Sequence, residues 1–268
     1  MSRHDDKPSE PEKPLKIHWA ILEDMKPTQA SVGFLEVELK MRELEEKARD
    51  GILARYLEKH PIPAVRGPDG RMYLTDHHHM GLAMQRLADA WDQSEQPAGA
   101  NPYRKCCFVL EEDYGSESSM SMHGFWRAME AEGLCHFYDG NGKRTQALPK
   151  TLENLQDDPY RSLAGLARKA GAYEKVDIPY TEFKWADFLR TRIPATEITM
   201  SHLDQAIEHA TRLARSPEAE GLPGYLKTPP APPAPDLTAI GARLQSRHGA
   251  ADEPEASIAH KPHHHHKA

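Results

Sequence analysis

The sequence has little cysteine, few aromatic residues and no long apolar run. Three cysteines in 268 residues argue against a disulfide-stapled domain and favour a reducing compartment. No stretch approaches the roughly 20 apolar residues that a membrane-spanning helix needs. The first residues carry charge and proline where a secretory signal would have an apolar segment. We therefore expect a cytoplasmic protein with no membrane partner.

Positive charge is also in short supply. The chain has 34 Lys and Arg against 41 Asp and Glu, which gives a formal net charge of −7. DNA-binding domains usually carry a basic surface, and often a helix-turn-helix. Neither feature is evident here, so the sequence argues against a DNA partner.

Proline and polar clusters divide the chain. Hydrophobic residues reach only 38% and prolines number 22, a composition typical of chains that pack only in part. We expect a disordered lead-in (1–14), a core domain (15–147), a helical extension packed on the core (148–226), and a proline-rich linker with a histidine-rich disordered tail (227–268). The tail could bind transition metals, but we assign it no catalytic role.

Strand signals fall early in the chain and helix signals fall late, which predicts an α+β fold. A first strand is expected at Ile17–Met25. Alternating residues on either side of Pro68-Asp69-Gly70 predict a hairpin, and KCCFVLEED predicts a strand in which the paired cysteines are buried. Apolar residues at three-to-four spacing predict helices elsewhere, among them one long helical segment over Val32–His60, and the later helices form the extension.

The most informative segment is YLTDHHHMGLAM, in which a strand runs through Asp76 and three histidines into a helix. In one interpretation Asp76 caps the helix by accepting from an N–H two or three residues on, one histidine packs and two face water. In the other, His77, His78 and His79 stay neutral at the positive helix end and act as ligands or bases.

This segment resembles the signature of the ParB/sulfiredoxin superfamily, in which a hairpin strand, a short loop and paired His or Arg residues lead into a helix. LEDMKPTQ (22–29) resembles the first box of that family, and PIPAVRGPDGRMYLTDHHH resembles its hairpin. The similarity is closest to the ParB-like nuclease branch and covers about 15–193. It implies a small mixed sheet with helices, here followed by the C-terminal helical extension.

The resemblance implies that a nucleotide phosphate binds at the junction between strand and helix. By position, Asp76, His77, His78 and His79 would be catalytic, and Thr28 and Gln29 would bind phosphate. ATP, ADP or CTP, and a divalent metal (Mg²⁺ or a transition metal) held by the three histidines, are the implied cofactors. Met80 stands where kinase-like members have Arg, and no cysteine occupies the junction, so sulfiredoxin-type thiol chemistry is not expected.

We expect an enzyme that transfers or hydrolyses a phosphoryl group of a small molecule or nucleotide. One alternative is a metal-dependent enzyme without nucleotide, in which His123 or a distant carboxylate completes the ligand set. A second is a nucleotide-sensing or DNA-associated regulator.

Further candidates lie outside the junction. Glu36 could serve as general base, and Arg66 and Arg161 could contact phosphate. Asp157 or Asp158 is expected to cap the helix that carries Arg161. The sequence leaves the oligomeric state open.

Overall fold

The structure, a computed structural model, describes residues 16–95, 99–116 and 119–227. The expected lead-in and nearly all of the linker and tail lie outside these residues. The strands are β1 (Ile17–Ile21), β2 (Met25–Lys26), β3 (Ser31–Val32), β4 (Ile62–Arg66), β5 (Met72–Leu74), β6 (Lys105–Asp113) and β7 (Gln156–Asp157). The helices are α1 (Phe34–Arg49), α2 (Leu53–Lys59), α3 (His78–Gln93), α4 (Met122–Ala131), α5 (Pro159–Lys169), α6 (Thr181–Arg190) and α7 (Leu203–Ala214).

Five strands form one mixed sheet in the order β1-β6-β4-β5-β2. β4 and β5 form the expected antiparallel hairpin, while β4 pairs with β6, and β2 with β5, in parallel. In the hairpin turn Gly70 has a φ of 75°, a conformation that glycine adopts without strain. The Asp69 carboxylate accepts from the backbone N–H of Arg71 at 3.1 Å. The small mixed sheet confirms the predicted α+β class.

The hairpin separates two apolar clusters, because successive strand residues face opposite sides of a sheet. Ala64 and Leu74 pack into the core formed with α1 and α3. Their neighbours Val65 and Tyr73 face the other side, where Phe125 of α4 completes a second cluster. Because β5 contributes to both clusters, its end and the residues that follow it are held firmly in place.

Helices α5, α6 and α7 enclose a third apolar core. Asp158 begins α5 by accepting from the N–H of Tyr160 at 3.1 Å, as predicted for one of the two aspartates, and it also forms a bidentate pair with Arg190 at 2.7 and 3.0 Å. Asp157 accepts from the N–H of Phe34 at 2.9 Å, and β3 pairs with β7 in parallel. The extension is therefore tied to the start of α1.

Two predicted elements differ from the structure. The first strand ends at Ile21, and Leu22–Asp24 form a 3₁₀ turn that buries Leu22. The long helical segment that follows β3 is interrupted near Gly51, whose φ is 72°, and splits into α1 and α2. The strand containing Cys106 and Cys107 was predicted correctly, and both cysteines are buried. Among the described residues, no helix has the length and apolar character needed to cross a bilayer.

Candidate functional site

The junction between β5 and α3 begins with an unusual backbone conformation. His77 has a φ of 62°, in the left-handed region that non-glycine residues seldom adopt. Its carbonyl accepts the first helical bond, from the N–H of Gly81 at 2.9 Å, so His77 occupies the cap position. The expectation that Asp76 caps α3 is therefore wrong. The Asp76 carboxylate lies one residue too early and accepts from the adjacent N–H of His77, at 2.7 Å.

His78 is buried and holds the loop that follows β2. Its Nε2 accepts from the backbone N–H of Thr28 at 3.0 Å, and the Thr28 hydroxyl donates to the carbonyl of Leu74 at 2.7 Å. Burial lowers the pKa of His78 to about 3, although the charge of Asp76 opposes this shift. An imidazole whose Nε2 accepts a hydrogen bond is neutral and carries its proton on Nδ1. His78 therefore serves as a fixed acceptor.

His79 holds a second loop in the same way. Its Nε2 accepts from the N–H of Gly33 at 2.9 Å. Burial, together with the charges of Arg161 and Lys169, lowers its pKa well below the ordinary value. Gly33 lies so close to Ser162 that an added Cβ would overlap the Ser162 hydroxyl. His79 thus fixes the point where α1 meets α5.

The three histidine rings have different environments. His77 is exposed, while His78 and His79 direct Nε2 to separate backbone donors. Within the described residues, no group of three or more His, Cys, Asp or Glu side chains is arranged to hold a metal ion. The geometry therefore gives no support to the histidine triplet as one ligand set.

Arg161 of α5 is brought to the junction by an ion pair with Glu36 of α1. Its Nη1 lies 2.9 Å from Glu36 Oε1, and the two side chains are only 14% and 10% exposed. Burial opposes the charge of Arg161, yet the neighbouring anions raise its pKa above the ordinary value, Glu36 most strongly and Asp76 to a smaller extent. The charge of this buried cation therefore interacts with that of the Asp76 carboxylate.

An aromatic stack continues from this pair. The guanidinium of Arg161 lies 5.3 Å from the ring centroid of Phe183. His136 stacks within 4.2 Å of Phe183 and 4.6 Å of Tyr180. Burial, with the nearby positive charges of Arg161 and Arg144, lowers the pKa of His136 to about 4. His136 is therefore neutral at pH 7.

Tyr180 is the last member of this group, and its backbone is strained in the same way as that of His77. Its φ is 59°, and among the described non-glycine residues only His77 and Tyr180 have positive φ. Burial, followed by the charges of Cys135 and Asp76, raises the pKa of Tyr180. Strained residues of this kind concentrate at functional sites. We call Glu36, Asp76, His77, His136, Arg161 and Tyr180 the junction cluster.

Several buried polar atoms at or beside the junction cluster have no hydrogen-bond partner among the described residues. They are Ser31 Oγ, His78 Nδ1, Arg161 Nε and Tyr180 Oη. Buried polar groups are nearly always satisfied, and exceptions point to water, an ion or a ligand. This part of the structure therefore has donors and acceptors available to a bound molecule.

The remaining predicted residues divide into two sets. Thr28 and Gln29 lie beside the junction cluster but are occupied: Thr28 as described above, and Gln29 by donating from Nε2 to the carbonyl of Ser31 at 2.8 Å. Arg66 ends β4, away from the junction, and its Nε lies 3.4 Å from Asp113. The hairpin places Arg66 at the end of β4 that lies opposite the junction, and its contact with phosphate stays a prediction.

Sequence reasoning missed His136 and Tyr180. Neither lies in a recognisable motif, and both reach the cluster through long-range contacts. The backbone N–H of His136 donates to the carbonyl of Thr28 at 2.8 Å, and Tyr180 precedes α6 in the extension. An aspartate or histidine at a strand end attracts attention in a sequence, whereas a tyrosine between a proline and a helix does not.

Comparison with known proteins places this geometry in context. The family described as "Putative ParB-like nuclease" matches residues 18–191. The crystal structure of protein Atu1540 from Agrobacterium tumefaciens is similar, with 36% sequence identity and a TM-score of 0.65, over 79% of this chain and 98% of that chain. No curated protein matches.

Proposed function

The chain belongs to the ParB-like nuclease family, as its junction and hairpin predicted, and from that premise we propose that it hydrolyses a phosphoester bond in a nucleotide-derived substrate. The proposed site is the junction cluster. The observation that carries the proposal is a buried Arg161 whose Nε has no hydrogen-bond partner, in a cluster that also holds the Asp76 carboxylate and the strained residues His77 and Tyr180.

Arg161 has the chemistry that phosphate recognition needs. Guanidinium groups bind phosphate oxygens through paired N–H donors and stay charged at any working pH. Glu36 takes one of these donors, at Nη1, while Nε is buried without a partner. In the proposal the unoccupied donors contact the non-bridging oxygens and neutralise charge that develops on them.

Asp76 is proposed as the general base. A water oxygen attacks phosphorus, its proton passes to the Asp76 carboxylate, and the bond from phosphorus to the leaving oxygen breaks. The leaving oxygen then takes a proton from solvent, so atoms and charge balance. His77 is exposed next to Asp76 and contributes through the strained turn that sets the carboxylate position.

The other predicted residues are proposed to position this pair. Glu36, expected from the sequence as a possible base, holds Arg161 instead. His78 and His79 fix the loops at Thr28 and Gly33. Loss of either imidazole would release a backbone N–H in a buried setting, which costs about 1–3 kcal/mol.

No step is assigned to a metal, since the described histidines do not form a ligand set. Parallel assays with a chelator and with added Mg²⁺ or Mn²⁺ test whether the reaction draws on a divalent ion. Thermal-shift titrations with ATP, ADP and CTP test whether free nucleotides are recognised.

The direct test is release of p-nitrophenolate from bis(p-nitrophenyl) phosphate, a diester, and from p-nitrophenyl phosphate, a monoester. We expect hydrolysis by the full chain, and a fall of about 100-fold in Asp76→Asn and in Arg161→Gln, the size of effect typical of a lost general base or charge-stabilising group.

Arg168→Gln is the matched control. Arg168 lies on the same helix and forms a similar half-buried pair, with Glu182 at 3.1 Å. The hydrolysis rate of Arg168→Gln should stay within about twofold of the wild-type rate. A full rate in Arg161→Gln, or an equal loss in Arg168→Gln, would contradict the proposed role.

A further inference from the structure

A groove of about 830 Å³ lies between the β2–β5 edge of the sheet and α4. Pockets that hold small ligands span roughly 300–1,000 Å³, so this groove has space for a nucleotide unit. Its walls come from the end of β2, the hairpin, one face of α4 and the segment 144–150. The junction cluster does not line it.

The groove reverses the charge balance of the chain. Acidic residues outnumber basic ones overall, 41 to 34, yet five Lys and Arg line the groove against two acids, Asp69 and Glu130. Both acids are engaged: Asp69 accepts from the Tyr73 hydroxyl at 2.6 Å, and Glu130 pairs with Arg144 at 2.6 Å.

The other four groove cations are Lys26, Arg71, Arg127 and Lys150. None of them forms an ion pair within the described part of the chain. Lys26 instead donates from Nζ to the carbonyl of Lys150 at 3.0 Å. Arg71, Arg127 and Lys150 are exposed. The groove therefore presents positive charge that no neighbouring carboxylate offsets by contact.

Aromatic rings lie among these cations. Trp126 is half-buried and lines the groove with Phe137 and Tyr73. Phe137 and Tyr73 both meet Trp126 at steep angles, with centroids 5.7 and 5.3 Å away. Aromatic side chains between phosphate-binding cations are the combination that single-stranded nucleic acid uses, because bases stack on the rings while the cations follow the backbone.

We propose that this groove binds single-stranded nucleic acid. Four uncompensated cations exceed what one phosphate needs, and they share the groove with the aromatic residues. A single strand has bases free to stack on these rings, whereas the bases of a duplex are already paired and stacked on one another. The sequence argued against a DNA partner from the net charge and the lack of a recognisable helix-turn-helix; the local charge of the groove carries this proposal.

The groove adjoins the junction cluster along two backbone segments. Pro27 lines the groove and Thr28 contacts His78; Phe137 lines the groove and its neighbour His136 belongs to the cluster. Consecutive Cα atoms are only about 3.8 Å apart, so the groove lies beside Thr28 and His136, at the margin of the junction cluster. The binding proposal stands without hydrolysis, but a bound strand would be the natural substrate of the proposed hydrolase.

The test is fluorescence anisotropy of a labelled 12-nucleotide oligothymidine with the full chain. Each phosphate contact to single-stranded nucleic acid contributes about −0.7 to the slope of log K against log[salt]. Four contacts predict a slope of about −2.8, so affinity should fall about fifty-fold between 50 and 200 mM salt. In Arg127→Glu/Lys150→Glu we expect affinity at 50 mM salt to fall at least about ten-fold and the slope to halve.

Arg55→Glu/Lys59→Glu is the matched control, because it makes the same charge change on exposed positions of α2, outside the groove. It should bind within about threefold of the wild type. The neutral pair Arg127→Gln/Lys150→Gln gives a second, milder test, and equal melting temperatures establish that all variants fold.

Three results would overturn the proposal: no binding at 100 µM protein, equal weakening in the α2 control, or equal affinity for a duplex of the same length. Arg161→Gln separates the two proposals, because Arg161 belongs to the junction cluster and does not line the groove. Normal binding with an unchanged hydrolysis rate in that variant would refute the proposed hydrolase while leaving the groove proposal intact.

Discussion

Acid should destabilise the protein through His78. Its folded pKa is about 3, against an ordinary value of about 6.5 in an unfolded chain. Because the folded pKa is depressed, the unfolded state binds more protons between these values, and stability present above pH 6.5 is lost as the pH falls. Between pH 7 and pH 5, protonation of the unfolded imidazole alone removes about 2 kcal/mol from the free energy of unfolding.

The size of this loss depends little on the exact folded pKa, because at pH 5 the buried ring is still neutral for any folded pKa near 3. The pKa values of His79 and His136 are lowered as well. The wild type should therefore lose more of its free energy of unfolding than His78 alone accounts for. The contribution of His78 is isolated by His78→Gln, whose amide oxygen can still accept from Thr28 but does not titrate.

The assay is urea unfolding at pH 7, 6 and 5. We expect His78→Gln to lose about 2 kcal/mol less than the wild type over this range, whatever its stability at pH 7. His123→Gln, which changes an exposed histidine, should keep the wild-type pH dependence. Parallel pH profiles for wild type and His78→Gln would refute the claim that this imidazole is held neutral by burial.

Three further changes probe the junction cluster. Glu36→Gln should lower the free energy of unfolding by about 3 kcal/mol because it leaves a buried guanidinium without its partner, and adding Arg161→Met should restore part of that loss in urea titrations. His77→Gly should raise the free energy of unfolding by about 1 kcal/mol, because glycine adopts the left-handed backbone without strain. We expect a higher melting temperature and a lower hydrolysis rate. Gly165→Ala, which stabilises an ordinary helix by about 1 kcal/mol, should instead destabilise α5, because its Cβ would overlap the Glu36 carboxylate; a higher melting temperature would contradict this.

Most of the fold could be predicted because its signals are local. The hairpin follows from alternation on either side of a Pro-Asp-Gly turn, and α5 follows from an aspartate before Pro159. The break near Gly51 was the main local error: a glycine is tolerated within helical patterns, and only its positive φ marks the break.

Sequence patterns named most residues of the candidate site, but they did not show which contacts each residue makes. Sequence patterns identified Asp76, the three histidines, Glu36 and Arg161. They could not show that His78 and His79 accept from backbone groups 50 and 46 positions away, or that Glu36 and Arg161 pair across 125 positions. Such roles depend on tertiary packing, which a single sequence does not encode in any local period.

The structural use of His78 and His79 decides where chemistry can occur. An imidazole whose Nε2 accepts a backbone N–H in a buried setting cannot also release that nitrogen to a substrate without losing the bond that fixes its loop. Reactive groups must therefore come from the residues next to the histidines and from the extension, which supplies Arg161 and Tyr180. It follows that α5 and α6 are part of the active site in this proposal, and that changes which loosen the extension should lower hydrolysis more than they lower binding of a strand in the groove.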